Sequence, residues 1–333
     1  MDLTTTYMGY KLRSPLVASA SPLSETVAGI KRLEDAGAGA VVLFSLFEEQ
    51  FRLEQLALHQ HLLNGTESTP EALSYFPEPQ QFKATTERYL ELIRKAKEQV
   101  SVPIIASLNG TTPGNWVKFG KDIEEAGADA LEMNLYTIPT DPLISGAEVE
   151  RNDVDVVTAV RTSLSIPVAL KLSPYFSSMA HMAKRFDKAG AAALVLFNRF
   201  YQPDIDLDTL EVMPNILLST PQDQRLPMRW IAILYGRINA DLAATGGIHS
   251  GRDVAKMLLA GATVTMTASA LLKHGIDHLR TMETELRQWM EEHEYESVTQ
   301  MRGALSQRHT EDPSVYERVQ YMKALTYYKV TKQ

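Results

Sequence analysis

The sequence predicts a (β/α)₈ barrel, because a repeated segment, a count of eight apolar strands and the helical patterns between them agree. The repeated segment is a helical run that closes in Ala-Gly-Ala and passes directly into an apolar strand. It occurs four times, as LEDAGAGAVVLF, IEEAGADALEMN, FDKAGAAALVLF and LLAGATVTMTAS. Its glycines suit the left-handed residue that follows a helix: Gly37, Gly127, Gly190 and Gly261. Each copy therefore predicts one helix-to-strand unit.

Four more strands complete the count. Two of them begin just after a proline, in VSVPIIASLNG and LSIPVALKLSP, where the missing N–H does least harm. PLVASAS near the start and ADLAATGG near residue 243 supply the others. The predicted strands are 16–20, 40–45, 103–108, 130–135, 167–172, 193–198, 241–245 and 263–269. Eight strands buried on both faces favour the barrel over a doubly wound open sheet.

Helical spacing of apolar residues fills most of the gaps between these strands. The clearest faces are Val27, Ile30 and Leu33 after Ser24, and Trp116, Phe119 and Ile123 near residue 115. Two gaps, 47–100 and 199–228, are too long for simple connections, so we expect functional insertions at the carboxyl-terminal face of the barrel. The tail, about 275–333, has a helical pattern and is expected to pack outside the barrel.

Composition narrows the kinds of ligand and the compartment. Zero cysteines exclude disulfides, thiolate metal sites, iron–sulfur clusters held by this chain and a cysteine nucleophile, and no metal is expected. A net charge of -8 without clustered Lys and Arg argues against nucleic acid. No apolar run approaches the roughly 20 residues of a membrane span, and the start does not read as a signal peptide. We therefore expect a cytoplasmic protein with a small-molecule ligand.

The ends of the last two strands predict a phosphate site. In barrels of this kind the loops after strands seven and eight commonly hold phosphate. Gly246 and Gly247 would let backbone N–H groups approach an anion closely, and Ala268 and Ser269 open a short helix. Taken singly, a Gly-Gly after a strand is more often a turn. His249 either touches the phosphate or caps the next helix.

Lys171 is a cation inside an apolar strand, PVALKLSPYF, near its carboxyl end. Three hypotheses stay open for it: a flavin-binding cation, a Schiff-base lysine of an aldolase, or a structural ion pair with a buried carboxylate. Asn109, Asn134 and Asn198 end three other strands at the same mouth. Their amides suit the edge of a heterocycle, although asparagines at strand ends also form turns.

Several motifs, in order and spacing, resemble the dihydroorotate dehydrogenases, which are FMN-containing (β/α)₈ barrels. They are SPLVASAS, GADALEMNL, VALKLSPYF, ATGGIHSGRDV, AGATVTMTASAL and YESVTQMRGAL, which extend to about residue 305. The likeness is strongest to the soluble class 1 branch, and the same stretches look like the pyrimidine-reducing barrel of dihydropyrimidine dehydrogenase. The resemblance implies a homodimer and oxidation of dihydroorotate to orotate, a step of pyrimidine biosynthesis. With no membrane-associating segment before strand one, we expect a soluble electron acceptor; one class 1 subtype also uses a partner subunit with FAD and an iron–sulfur centre.

The resemblance also implies residue roles. FMN would be contacted by Ala20, Ser45, Asn134, Lys171 and Asn198, and its phosphate by Gly246, Gly247, Ala268 and Ser269. Lys171 would place positive charge near N1 and so stabilise the reduced flavin. We expect Asn109, Asn134 and Asn198 to contact the substrate.

The chain departs from the family at the substrate side. Where class 1 enzymes have a cysteine base after the strand-four asparagine, this chain has no cysteine, and a gapless match puts Thr137 there. Class 2 relatives use a serine hydroxyl, so Thr137 is the predicted base, with Tyr136 second and a purely loop-shaping role as the alternative. Phe44 stands where the family has a lysine, and LSYFPEPQQF replaces the usual substrate loop.

These departures leave three alternatives to dihydroorotate oxidation. The first keeps FMN but acts on another cyclic amide or unsaturated compound. The second is a flavin-free barrel lyase in which Lys171 forms a Schiff base. The third is a flavin-binding protein without catalytic activity.

Overall fold

A computed structural model describes residues 1–49, 85–110, 113–135, 137–199, 202–213 and 217–330. At its centre eight parallel strands form a closed barrel, in which each strand pairs with the next barrel strand along the chain and the last pairs with the first, which confirms the predicted fold. Each barrel strand lies within two residues of its predicted bounds. The strands are β3 (Leu16–Ala18), β4 (Ala40–Phe47), β5 (Ile104–Asn109), β6 (Ala130–Asn134), β7 (Val168–Leu172), β8 (Ala193–Leu196), β11 (Asp241–Thr245) and β12 (Val264–Thr267).

Helices cover the outside of the barrel and form the tail. They are α1 (Val27–Asp35), α2 (Thr85–Gln99), α3 (Pro113–Glu125), α4 (Gly146–Ser163), α5 (Met179–Lys188), α6 (Arg225–Leu234), α7 (Gly251–Ala260), α8 (Ser269–His274), α9 (His278–Glu292), α10 (Val298–Met301) and α11 (Gln320–Val330). Of the predicted faces, Ile30 and Leu33 in α1 and Trp116 and Ile123 in α3 are buried, whereas Val27 and Phe119 are partly buried against the same core. In the tail, α9 packs on α7 outside the barrel, as expected. Among the described residues, no helix is long and apolar enough to cross a membrane.

Both long connections contain secondary structure where they are described. The first ends in α2, and the predicted substrate loop LSYFPEPQQF lies outside the described residues. The second carries an antiparallel hairpin, β9 (Asp204–Asp206) with β10 (Glu211–Met213), followed by a 3₁₀ turn at Pro221–Gln224.

A hairpin that the sequence analysis did not predict closes the lower end of the barrel. Its strands are β1 (Thr5–Tyr7) and β2 (Tyr10–Leu12). Tyr7 is 1% exposed and packs into the barrel interior. The buried cluster that it joins includes five alanines on the barrel strands, Ala40, Ala130, Ala169, Ala193 and Ala243. Alanine at these positions leaves room for the tyrosine ring, so the strands and the hairpin form one packed core.

Three of the four repeats use an acid near the end of their helix to hold a loop beneath the barrel. The acid stands three residues before the repeat glycine. It accepts hydrogen bonds from backbone N–H groups in the loop that leads into the second barrel strand after its helix, the hairpin strands not counted. The pairs are Glu34 with Ser101 and Val102, Glu124 with Ser165 and Ile166, and Asp187 with Asn239 and Ala240. The fourth repeat has Leu258 instead, and there the tail contributes, because the Gly303 amide donates to the Leu258 carbonyl at 2.8 Å.

Candidate active site

A cleft lies at the carboxyl-terminal mouth of the barrel, the face where barrel enzymes carry their active sites. It encloses about 200 Å³ and opens to solvent at the mouth. The lining residues come from several strand ends: Ser19, Ala20, Lys171, Phe197, Asn198, Arg199, Ser219, Thr245, Gly246, Gly247, Ile248, Met266, Thr267, Ala268 and Ser269. The structure therefore brings together seven residues that the sequence analysis selected: Ala20, Lys171, Asn198, Gly246, Gly247, Ala268 and Ser269.

The Gly246-Gly247 pair shapes one wall of the cleft. Both residues have positive φ, 90° and 76°, a conformation that glycine adopts without strain. A Cβ on Gly247 would lie 2.4 Å from the backbone nitrogen of Gln224, so that glycine is also required by packing. A Cβ on Gly246 would meet no atom within 4 Å. The loop thus combines a tightly packed residue with one that leaves open space beside its backbone.

Asp253, at the start of α7, holds this loop from behind. Its carboxylate accepts hydrogen bonds from the backbone N–H groups of His249 and Ser250, at 3.2 and 3.1 Å. It also accepts the side-chain amide of Gln224 at 2.7 Å. Burial alone would raise the pKa of Asp253, but these hydrogen bonds outweigh it and the pKa is lowered. Asp253 is therefore an ionised anchor that joins the glycine loop to the 3₁₀ turn.

Ser219, Ser269 and His249 connect the two predicted phosphate loops. The Ser269 hydroxyl accepts a hydrogen bond from the Ser219 amide at 3.1 Å. The His249 ring lies 3.4 Å from the Ser219 hydroxyl, and burial lowers its pKa. His249 does not cap α7, because Ser250 does so with its side chain. His249 therefore lies behind a residue of the cleft wall and is not among the lining residues.

Lys171 lies on the floor of the cleft and has a carboxylate partner. Its Nζ is 3.3 Å from Oε1 of Glu132 on the neighbouring strand, and the side chains are 10% and 0% exposed. The ion-pair interpretation is therefore correct, and the same lysine also faces the cleft. Glu132 was not selected from the sequence, although LEMN places it two residues before Asn134 and hence on the same face of β6.

Asn134 and Ser45 are joined in a buried network beside the cleft. The Asn134 amide donates to the Ser107 hydroxyl at 2.9 Å and to the Leu108 carbonyl at 3.2 Å. The Ser45 and Ser107 hydroxyls are hydrogen-bonded at 2.8 Å. Neither Asn134 nor Ser45 is among the lining residues. Their side chains are thus held by the protein itself, and Asn134 lies opposite Lys171 in the pairing of β6 with β7.

The remaining predicted substrate residues are distributed around the mouth. Asn198 lines the cleft, and its side chain makes no hydrogen bond to any described residue. Asn109 is half-buried at the end of β5 and Thr137 is exposed on the loop after β6; neither lines the cleft. Tyr136 lies outside the described residues.

Phe44, which stands in place of the family lysine, belongs to an aromatic pair. Its ring lies 5.1 Å from that of Tyr89, edge to face at 82°. The Tyr89 hydroxyl accepts from the Ser107 amide at 2.8 Å. Phe44 is therefore part of the packing between β4 and α2, and it supplies no charge.

Arg199 and Asp223 form an ion pair at the rim that the sequence analysis missed. Arg199 Nη1 lies 3.3 Å from Asp223 Oδ2, and both side chains are nearly half exposed. Asp223 also accepts the Thr220 amide at 2.6 Å and so caps the 3₁₀ turn that packs on Gly247. Because residues distant in sequence meet here, no local pattern could have predicted the pair.

Known proteins of similar sequence include several dehydrogenases. A family model described as dihydroorotate dehydrogenase matches residues 82–290. The catalytic subunit of dihydroorotate dehydrogenase B (NAD(+)) from Thermoplasma volcanium is 27% identical over 319 residues, 92% of this chain and 99% of that protein. The subunit of the same name from Geobacter sp. is 31% identical over 223 residues, 62% of this chain and 70% of that one. The chloroplastic dihydropyrimidine dehydrogenase (NADP(+)) of Arabidopsis thaliana is 23% identical over 332 residues, 91% and 76% of the two chains.

Proposed function

The chain belongs to the dihydroorotate dehydrogenase family, and from this premise we propose that it is an FMN-dependent oxidoreductase. Enzymes of this kind act on CH–CH bonds. The proposed reaction is oxidation of dihydroorotate to orotate, in which one carbon loses a proton and its neighbour loses a hydride. When bound, the flavin would accept that hydride.

The observation that carries the proposal is the meeting of Lys171 with the two phosphate loops in one cleft. The donor set fits FMN, because backbone N–H groups and the Ser269 hydroxyl suit a phosphate while a lysine suits an electron-accepting ring. The open space beside Gly246 leaves room for a ligand atom at the backbone. Gly246, Gly247, Ala268 and Ser269 would hold the phosphate, and Ala20, Lys171 and Asn198 the rest of the cofactor.

The residues of the cleft and of the network beside it would each have a different role in binding and proton transfer. Lys171 supplies positive charge on the cleft floor, and Asn198 offers a side-chain amide with no partner among the described residues. Asn134 and Ser45 are held in the network through Ser107, so we propose that they orient ligands from below. Thr137 would take the substrate proton as its own hydroxyl proton passes to solvent water, once its loop covers the mouth.

A second substrate class is favoured by one observation. Phe44 packs against Tyr89, so the cation that the family places there is missing from this wall. A negatively charged substrate such as orotate would therefore have one cation fewer near it. An FMN enzyme acting on an uncharged cyclic amide or other unsaturated ring is therefore the alternative.

The test is a visible absorption titration of the purified protein with FMN, followed by orotate. We expect saturable binding that perturbs the flavin band, and a further change with orotate. Gly247→Ala should weaken FMN binding at least about tenfold, because the new Cβ would meet the Gln224 backbone. Gly127→Ala is the matched control, since Gly127 also has positive φ (93°) but has no atom near its Cβ position and lies away from the cleft.

The outcomes separate the alternatives. A flavin band that orotate leaves unchanged would keep FMN and replace dihydroorotate with the uncharged substrate class. A protein that binds no FMN would contradict the proposal and leave the Lys171 lyase, which trapping of a carbonyl compound with borohydride would reveal. A bound flavin that no substrate or reductant turns over would indicate a non-catalytic flavin-binding protein.

A further inference from the structure

Glu132 lies directly beneath the cleft, inside the barrel. It is 0% exposed. Ala130, Glu132 and Asn134 are alternate residues of β6 and so lie on one face of the strand. Ala130 belongs to the same buried cluster as Tyr7. Its Oε1 contacts Lys171 Nζ at 3.3 Å. Lys171 is the only basic side chain that the described residues bring to Glu132, so the ammonium group of the cleft floor and this acid form a single buried pair.

Among the residues that the structure describes, no second cation and no hydrogen-bond donor other than Lys171 contacts Glu132. Its Oε2 has no hydrogen-bond partner among the described residues, and neither has the buried hydroxyl of Tyr7. Burial, and then the charges of Glu132 and Asp241, raise the pKa of Tyr7 well above its usual value. Burial likewise raises the pKa of Tyr89, with a smaller contribution from Glu132. The phenols that face Glu132 are therefore neutral, and its charge is balanced by Lys171.

A pair of this kind adds little net stability. Removing two charges from water costs about as much as their attraction returns, and apolar residues of similar size often do as well. The unpaired Oε2 makes the balance less favourable still. What the pair does secure is geometry, because a lysine side chain is flexible and a buried carboxylate limits where its ammonium group can lie.

We propose that Glu132 is the positioning residue of Lys171: its carboxylate holds the ammonium group at the cleft floor when the cleft is empty. Applied to the flavin, this inference rests on the proposed function. Lys171 lines the cleft and Glu132 does not, so the ammonium group is the end of the pair that a bound ligand would face.

The experiment is competitive acetylation of the flavin-free protein, read for each lysine by mass spectrometry. In the unmodified sequence Lys171 should react much more slowly than Lys95, whose side chain is 56% exposed. In Glu132→Gln the carboxylate that holds the ammonium group is gone, so the flexible lysine side chain can turn toward the reagent in the cleft, and Lys171 acetylation should rise at least about tenfold. Glu132→Asp, which retains the charge, should restore slow labelling.

The matched control is Glu91→Gln, which removes the carboxylate 2.7 Å from Lys95. Because that pair is exposed, Lys95 labelling should change less than about twofold. A uniform rise across partly buried lysines such as Lys97 would reveal loosening of the fold and overturn the interpretation. Equal Lys171 labelling in the unmodified and Glu132→Gln proteins would overturn it as well.

A second measurement applies if Glu132→Gln does not fold. Lys171→Met should lower the melting temperature, since it leaves Glu132 as an uncompensated buried charge. Adding Glu132→Gln to Lys171→Met should then raise it, and a further fall would overturn the proposal. Acetylation needs no flavin, so a Lys171 response without FMN binding would reject only the proposed function. FMN binding with an unresponsive Lys171 would reject only this inference.

Discussion

Asp153 is a buried carboxyl group on α4 that the proposed reaction does not use. It is 8% exposed. Burial, with a smaller contribution from Glu150, raises its pKa from 3.8 to about 6. The folded state therefore binds more protons than the unfolded state between about pH 4 and pH 6, and stability falls as the pH rises through that window.

Asp153→Asn should consequently stabilise the protein above about pH 6, by roughly 2 kcal/mol, and give no gain near pH 4. Urea unfolding at the two pH values measures the difference. Asp155→Asn, on the exposed side of the same helix, is the control and should have little effect at either pH. A gain that does not depend on pH would contradict the assignment.

Thr137 is the residue on which the proposed proton transfer depends. Thr137→Val should lower kcat on an identified substrate by about 100-fold or more, whereas Thr137→Ser, which keeps the hydroxyl, should retain most of it. Thr140→Val, in the same exposed loop, is expected to leave turnover unchanged. Equal rates for Thr137→Val and the unmodified protein in steady-state assays would remove Thr137 from the mechanism.

At the scale of single residues, the sequence predicts which residues face the mouth of the barrel but not which side chains they contact. Lys171 stands out as a cation in an apolar strand, and its placement at the cleft follows from strand alternation. Its partner Glu132 is 39 residues away, and only the register of β6 beside β7 brings the two together.

At the scale of elements, the acids of the repeated segments tie helices to loops beneath the barrel. Glu124 accepts the Ser165 and Ile166 amides at 2.8 and 3.0 Å. The Ser165 side-chain hydrogen bond is the main cause of its lowered pKa, and burial opposes it. A carboxylate with a lowered pKa stabilises the fold above its usual range, and that stabilisation is lost as the pH falls through the folded-state pKa.

Glu124→Ala should therefore cost about 1 kcal/mol at pH 7, after allowance for solvent screening, and less below about pH 4. Chemical denaturation monitored by circular dichroism gives this difference. Glu125→Ala, one residue further on an exposed position, should cost less than about 0.5 kcal/mol. If the two variants lose equal stability, the loop contact of Glu124 contributes nothing measurable.

The repeated segment shows which features of an element can be predicted from the sequence. Four copies of Ala-Gly-Ala predict the helix ends and strand starts correctly, because the left-handed glycine and the apolar strand are local requirements. The pairing of each acid with a distant loop is not local. The fourth copy has Leu258 in place of the acid, and there the tail makes the contact through the Gly303 amide and the Leu258 carbonyl.

At the scale of the whole molecule, the tail closes the barrel's outer layer at α7. Gly303 has φ 77°, and a Cβ there would lie 2.3 Å from the ring of Tyr235. Its amide donates to Leu258, and the Tyr235 hydroxyl donates to the Arg302 carbonyl at 3.1 Å. The contact therefore has no room for a side chain.

Gly303→Ala should destabilise the protein by about 2 kcal/mol or more, through overpacking and strain at positive φ. Gly146→Ala, at the start of α4 with no atom near the new Cβ, should be neutral within about 0.5 kcal/mol. The urea concentrations at the unfolding midpoints of the two variants measure this difference in stability. A tail that docks loosely would give both the same midpoint.

The sequence by itself determined the barrel, its eight strands and the loops that form the cleft, because periodicity, glycine positions and strand order are properties of contiguous residues. Only the tertiary structure decided the partners of the site residues: Glu132 under Lys171, Asp253 behind the glycine loop, and Phe44 on Tyr89. The N-terminal hairpin below the barrel is likewise visible only in the tertiary structure. These contacts join segments far apart in the chain, and their formation depends on strand register and side-chain packing, which no local pattern encodes.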